Sequence, residues 1–382
     1  MNRRELLRII DEFILLNPRG NLYVFLDEIT YLPDWYIAIK NIAETVEIER
    51  LAIIATGSSP YEIKVKEERL PGRKIEGNEY YIHPLSFREF ILKTPSNKFP
   101  LRKDEIDELK SKLARLKLDM DSFDITIAKE LIGFYDTLEK LLNIYLITGG
   151  FPKTITEYLS LGKIRDETYE EIIRLILGDI SKAKKSENIA LGVLRYVLNH
   201  LSSRVDFVTI ARDINVHHDT VKEIIELLNQ SFVITILYPL DLNKRMFSIR
   251  KQKKIFFNDP FLFSSLRRFF YGDEFEDLIL EIDKVKPLLL EGLVANAIAM
   301  HKEIPHLRER WSFLGYYYDK RGEIDIVYMG KKILGIEVKY TEEVKKRRFP
   351  IDVYYATKDD YGVDRIPISL LLALLPKSKK VI

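Results

Sequence analysis

The chain has no cysteine among its 382 residues. Disulfides, thiolate metal sites and a cysteine nucleophile are therefore excluded, and a reducing, cytoplasmic setting is the natural expectation. It also lacks an excess of charge of either sign: 60 Lys and Arg stand against 58 Asp and Glu, a formal charge of +2. Any attraction for nucleic acid must then come from local clusters. No apolar run is long enough to span a membrane, and the opening segment, interrupted by Arg8, Asp11 and Glu12, is not a secretion signal. No internal repeat or low-complexity tract stands out. At this length two or three domains are expected.

Leu6, Leu7, Ile10, Phe13 and Ile14 recur at helical spacing through residues 3–16, and Asn17-Pro18-Arg19-Gly20 ends that helix as a turn. An apolar strand, Leu22 to Leu26, follows and ends in the adjacent carboxylates Asp27-Glu28. Pro33 to Val46 reads as a helix, Leu51 to Ala55 as a second strand ending in Thr56-Gly57-Ser58-Ser59, and Tyr80 to Ile82 as a third. Alternating strands and helices of this kind predict an α/β fold with a parallel sheet. Paired carboxylates at the end of a strand are what phosphate-loop ATPases use to hold Mg²⁺ and orient the attacking water. The same pair could also simply end a strand at a polar loop. A phosphate cradle of the form G-x-x-x-x-G-K-[ST] occurs nowhere in these residues. Too few residues precede Asp27 to hold the strand, loop and helix that come first in such a sheet. Without that central strand, Leu51 to Ala55 should carry unpaired backbone and Tyr80 to Ile82 should lie apart from the sheet.

From about 102 to 200 the pattern is helical with charged faces, broken by Gly149-Gly150-Phe151-Pro152. Residues 207–256 change character. Val208 to Ile214 reads as a short helix, Asn215-Val-His217-His218 as a turn, and the segment from Asp219 as a second helix capped by that Asp, with strands at Phe232 to Tyr238 and Met246 to Phe257. Together they describe a winged helix-turn-helix. Lys244, Arg245, Arg250, Lys251, Lys253 and Lys254 lie in and around its hairpin with no acid among them. They are a candidate surface for non-specific DNA binding, against the reading that the module only packs between domains. Glu223 and Glu226 on the second helix argue against base readout. His217-His218-Asp219 is better explained as a turn and cap than as a metal site.

From about 285 a last α/β unit is predicted: a helix over 288–300, strands near 310–318, 323–329, 332–340 and 351–356, then a closing apolar segment. Asp325 on one strand and Glu337-Val338-Lys339 on the next resemble the PD-(D/E)xK nuclease core. Asp325 and Glu337 fall on one face to bind a divalent metal, Mg²⁺ or Mn²⁺, and Lys339 two residues on points to the same face. Glu291, on the preceding helix, could add a third carboxylate. An alternating strand can also carry E-x-K on a solvated face. Lys345 to Arg348 follows that strand, to guide nucleic acid or to keep a loop solvated.

In order along the chain, the acidic strand, T-G-S-S, Leu70-Pro-Gly-Arg73, Pro84-Leu-Ser-Phe-Arg-Glu-Phe90, G-G-F-P, Gly178-Asp179-Ile180 and Ile255-Phe-Phe-Asn-Asp259-Pro260 resemble archaeal and bacterial AAA-type ATPases that carry a C-terminal domain called DUF4143. The resemblance implies ATP and Mg²⁺ as ligands, with Asp27 assisting the metal, Glu28 activating water, and Thr56 or Ser58 sensing the γ-phosphate. Arg73 would meet the nucleotide or a neighbouring subunit, or be structural. It implies four parts: 1–95 a partial ATPase core, 96–200 a helical lid, 201–260 the winged helix, and 261–382 a restriction-endonuclease-like α/β domain. The expected function is that of a nucleic-acid-associated ATPase, truncated, decayed, or completed by a separate chain that brings the phosphate loop. The competing readings are a metal-dependent nuclease and a non-catalytic DNA-binding or protein-interaction module. An oligomer is left open.

Overall fold

In the computed structural model, residues 2–45, 51–57, 80, 82–301, 313–340 and 347–378 are described. Ser58, Arg73, Lys345 and Lys346 lie outside them. The chain forms two compact units, residues 1–78 and 79–382. No helix among the described residues is long and apolar enough to cross a membrane.

In the first unit, α1 (Arg3–Leu16) starts at Asn2, whose side chain accepts from the Glu5 amide while Glu5 reaches back to the Asn2 amide. This reciprocal cap satisfies backbone donors that a helix start otherwise leaves open. Strands β1 (Leu22–Leu26) and β2 (Leu51–Ala55) pair in parallel, Leu22 opposite Leu51 and Leu26 opposite Ala55. Helices α1 and α2 (Trp35–Thr45) bury Leu6, Ile10, Trp35, Ala38 and Ile42 against the inward residues Val24, Leu26, Leu51 and Ile53. The other face of the strands carries Tyr23, Phe25 and Ile54, all exposed. Among the described residues β2 pairs on one side only. Among the described residues Tyr80 and Ile82 belong to no strand, and Tyr81, between them in the strand expected there, lies outside the described residues.

The second unit opens with a helical layer: α3 (Phe87–Lys93), α4 (Lys103–Arg115), a 3₁₀ stretch at Ile125–Phe134, α5 (Tyr135–Thr148), α6 (Pro152–Leu161), α7 (Asp166–Lys182) and α8 (Glu187–Asn199). Next come β3 (Arg204–Val205), the helix pair α9 (Phe207–Asp213) and α10 (His218–Gln230), and strands β4 (Ile234–Asp241), β5 (Met246–Phe247) and β6 (Lys253–Phe257). The cap of α10 is His217, which accepts from the Asp219 amide, rather than Asp219 itself. Helices α11 (Pro260–Tyr271) and α12 (Phe275–His301) lead to β7 (Leu314–Asp319), β8 (Gly322–Met329), β9 (Ile333–Lys339), β10 (Asp352–Thr357), β11 (Arg365–Pro367) and α13 (Ile368–Leu374). Helix α12 starts thirteen residues before the expected 288, running through Pro287.

The strands from 204 onward form one nine-stranded sheet in the order β11-β10-β9-β8-β7-β4-β6-β3, with β5 on β4. Its join is the parallel pairing of β4 with β7, Tyr238 opposite Gly315 and Pro239 opposite Tyr316. The short motifs meet in the helical layer. The buried Asp259 carboxylate accepts from the Gly150 amide at 2.8 Å and from the Phe261 amide at 2.8 Å. Gly150 accepts in turn from the Leu85 amide at 2.8 Å, and Tyr145 Oη donates to the Leu85 carbonyl at 2.7 Å. Arg88 donates to the carbonyls of Ala373 and Leu113, fastening α3 to α13 and α4. Burial pushes the Asp259 carboxyl up to about 6, against the pull of its two amide donors.

Candidate functional site

The first candidate lies at the ends of two parallel strands. Because β1 and β2 run in register, Asp27 and Thr56 leave the sheet side by side. Thr56 Oγ1 donates to Asp27 Oδ1 at 2.5 Å and accepts from the Glu28 amide at 3.1 Å. Two backbone bonds frame the pair: the Thr56 amide to the Leu26 carbonyl, and the Ile29 amide to the Thr56 carbonyl, each 2.9 Å. Glu28 takes a left-handed conformation, φ 50° and ψ 40°. That region costs a non-glycine residue strain and persists where the surroundings dictate it, often at functional positions. Asp27 is exposed. Its hard carboxylate oxygens beside a hydroxyl suit Mg²⁺, which prefers one or two carboxylates with the rest of its shell from water and phosphate.

The second candidate is the acidic centre on β8, β9 and α12. Antiparallel pairing sets Ile326 opposite Ile336, which brings Asp325, one residue before, and Glu337, one residue after, onto a common face. The predicted set does come together. Asp325 Oδ2 accepts from the Val338 amide at 2.9 Å and lies 4.0 Å from Lys339 Nζ, which is 3.1 Å from Glu337 Oε2. Glu291 arrives from α12, and Ser202 Oγ donates to it. Glu337 is 1% exposed, and its Oε1 is buried with no hydrogen-bond partner.

The centre holds two residues that sequence reasoning did not place there. Lys254, grouped with the basic hairpin, is 1% exposed and turns inward from β6. Its Nζ lies 2.6 Å from Glu291 Oε1 and 3.3 Å from Asp325 Oδ1, and is paired with Glu323. Glu323 also faces Arg204 Nε at 3.4 Å. Burial works against the lysine charge, but Glu291, Asp325 and Glu323 outweigh it and hold the ammonium above its ordinary pKa. Glu291 is itself raised, by burial first and by Asp325 next, against the opposing pull of Lys254. Burial raises Glu337 too, opposed by Lys339. The signals were available. Glu323 precedes Asp325 by two residues and so shares its strand face, and Lys254 alternates with Phe256, on which Gly292 of α12 packs.

The four carboxylates are a donor set that hard divalent ions favour. Three of them, however, already converge on one ammonium. Mg²⁺ would draw oxygens to about 2.1 Å, which cannot be met around an Nζ that already lies 2.6 Å from Glu291. A divalent ion and the Lys254 ammonium cannot share the position between Glu291, Glu323 and Asp325.

The basic hairpin divides accordingly. Lys244, Arg245, Arg250 and Lys251 are exposed, whereas Lys253 is buried with its amine 4.1 Å from the centre of the Phe207 ring. Neither Lys253 nor Lys254 presents its amine to a phosphate in this structure. On α10, Glu223 pairs with Lys185 at 2.7 Å and Glu226 faces Lys222 at 3.9 Å. His217, His218 and Asp219 stand within 4.8 Å of one another, all exposed, at the start of α10.

Residues 1–91 match the model of a family described as an AAA domain, and residues 139–272 match one described as a domain of unknown function, DUF8612. The matched domain of unknown function is thus DUF8612 rather than DUF4143, and it covers the junction of Gly150 and Asp259. The chain is 25% identical over 247 residues to the uncharacterized protein MJ1637 of Methanocaldococcus jannaschii, covering 62% of this chain and 47% of that protein. It spans about half the length of the curated relative it matches. No solved structure matches. The match over residues 1–91, on the stretch that ends two parallel strands in Asp27, Glu28 and Thr56, supports placing the N-terminal part of this chain with an AAA-type ATPase family.

Proposed function

We propose that the first unit supplies the metal- and water-directing half of an ATPase site, active only with a phosphate loop brought from outside these residues. The observation that carries this reading is the Asp27–Thr56 hydrogen bond joining the ends of two parallel strands inside the region similar to an AAA domain. Asp27 and Thr56 would hold Mg²⁺, which would neutralise phosphate charge. Glu28 would take the proton of the attacking water, and Thr56 would stand where a γ-phosphate is sensed. Ser58 and Arg73 are the further nucleotide contacts of this reading. Nucleic-acid association would come from the four exposed hairpin cations, on the helix pair and strands read as a winged helix.

Calorimetry with ATP and Mg²⁺ tests it. The chain alone should bind ATP weakly, since no backbone cradle wraps the phosphates. Adding a polypeptide that bears G-x-x-x-x-G-K-[ST] should restore hydrolysis, which Glu28→Gln should abolish while sparing binding. Micromolar binding by the chain alone, or full turnover in Glu28→Gln, would end the proposal.

A second reading, a metal-dependent nuclease, draws support from the convergence of Glu291, Asp325, Glu337 and Lys339. It predicts DNA cleavage in Mg²⁺ or Mn²⁺ that is lost in Asp325→Asn and Lys339→Ala. It also requires Lys254 to leave the centre.

A further inference from the structure

Lys254 comes from the hairpin side of the nine-stranded sheet, while the acids it meets come from β8 and α12. Strands β4 and β7 separate β6 from β8. The side chain thus reaches across sheet and helix to three carboxylates, two of them in positions that the nuclease reading gives to metal ligands. Glu291, Glu323 and Asp325 converge on Lys254, Glu337 pairs with Lys339, Arg204 takes the far oxygen of Glu323, and Arg347 acts on Glu337 from further off. Glu337 keeps one buried oxygen without a hydrogen-bond donor, where a buried acceptor is ordinarily satisfied.

We infer that Lys254 is an internal cation occupying what is otherwise a divalent-metal site, and that it keeps the wild-type centre closed to metal. An ammonium and a divalent ion both satisfy converging carboxylates, but an ammonium donates hydrogen bonds at 2.6–3.3 Å, as seen here, whereas a metal needs oxygens near 2.1 Å. The two are mutually exclusive. Removing the ammonium leaves buried like charges that repel one another, so the vacated site should then take up a divalent ion.

The test uses the full chain with Mn²⁺ as the only probe, followed by melting temperature and by the loss of the free-ion Mn²⁺ spin-resonance signal. Wild type should show no Mn²⁺ uptake that depends on Asp325. Lys254→Ala should melt lower without metal and recover by about 5 °C at Mn²⁺ a hundredfold above its dissociation constant. That response should vanish in Lys254→Ala/Asp325→Asn, which separates this centre from any ion held near Asp27. Equal, Asp325-dependent uptake by wild type would overturn the inference, as would a folded Lys254→Ala that takes up no Mn²⁺. If Lys254→Ala does not fold alone, Mn²⁺ should restore its refolding yield, and failure to do so overturns the inference equally. None of these outcomes depends on ATP hydrolysis or DNA cleavage.

Discussion

A β-carbon added at Gly150 would stand 2.0 Å from the Leu85 carbonyl oxygen and 2.6 Å from the Leu85 nitrogen. Both are backbone atoms, so no side chain can swing aside. Real β-carbons essentially never approach closer than 3.0 Å, and Leu85 must therefore retreat by about 1 Å. That movement strains the Leu85 amide bond to Gly150, the Tyr145 hydroxyl bond to Leu85, and the Gly150 amide bond to Asp259, each 2.7–2.8 Å long. A buried group left without its partner costs roughly 1–3 kcal/mol. Losing two of the three gives Gly150→Ala a penalty of about 2–6 kcal/mol, a large share of an ordinary domain's stability. Gly178 provides the matched control. It lies inside α7 with nothing within 4 Å of its would-be β-carbon, so Gly178→Ala should stabilise by roughly 0.5–1 kcal/mol. Urea unfolding followed by circular dichroism, with the two variants and wild type measured in parallel, gives both signs. A Gly150→Ala protein within about 1 kcal/mol of wild type would refute the close approach of Gly150 to Leu85.

Two further outcomes are expected. The Asp259 carboxyl is raised from 3.8 to about 6, so in that window the folded state binds more proton than the unfolded one. Its contribution to stability is therefore greatest below 3.8 and falls as pH rises to about 6, by about 3 kcal/mol at 1.36 kcal/mol per unit. Asp259→Asn should remove that slope, and parallel unfolding curves for wild type and variant from pH 4 to 7 would show that it does not. Replacing Lys244, Arg245, Arg250 and Lys251 together by Ser should flatten the salt dependence of duplex DNA binding by up to about 3–4 in log–log slope. Lys253→Ser should leave the slope alone. An unchanged slope in the fourfold variant would assign the hairpin to packing.

Where local signals act alone, the sequence can be read almost residue by residue. The apolar spacing and the turn at Asn17 to Gly20 place α1 at 3–16 as expected, and the strand–turn–strand pattern places β8 and β9 with Asp325, Glu337 and Lys339 on one face. Misreadings occur where long-range packing overrides a local rule. Pro287 suggests a helix start because proline costs a helix interior about 3 kcal/mol. Burial of Leu278, Ile282, Leu289, Leu290 and Leu293 along α12 carries the helix through it. Lys253-Lys254 follow an exposed basic run and look like its continuation. Only the partners, dozens of residues distant in sequence, make these two buried. The alternation of β8 puts Glu323 on the face of Asp325, but its pairing with Lys254 crosses out of the last α/β unit as read from sequence.

The burial of Lys254 also bears on the order in which this chain can assemble. Synthesis runs from the N-terminus, so β6 leaves the ribosome well before the carboxylates that receive its ammonium, with Asp325 71 residues later. Until the first of them, Glu291, follows 37 residues after Lys254, burying that amine would desolvate a charge with no counter-charge at hand, a cost of several kcal/mol. The helix pair α9 and α10 can form early from local contacts, but Lys254 on β6 gains its full set of counter-charges only when β8 brings Glu323 and Asp325. Strand β4 waits as well, for residues 315 and 316 of β7. Lys254 thus ties β6, which can pair early with β4, to acids that follow it by 37 to 71 residues, α12 first and β8 last.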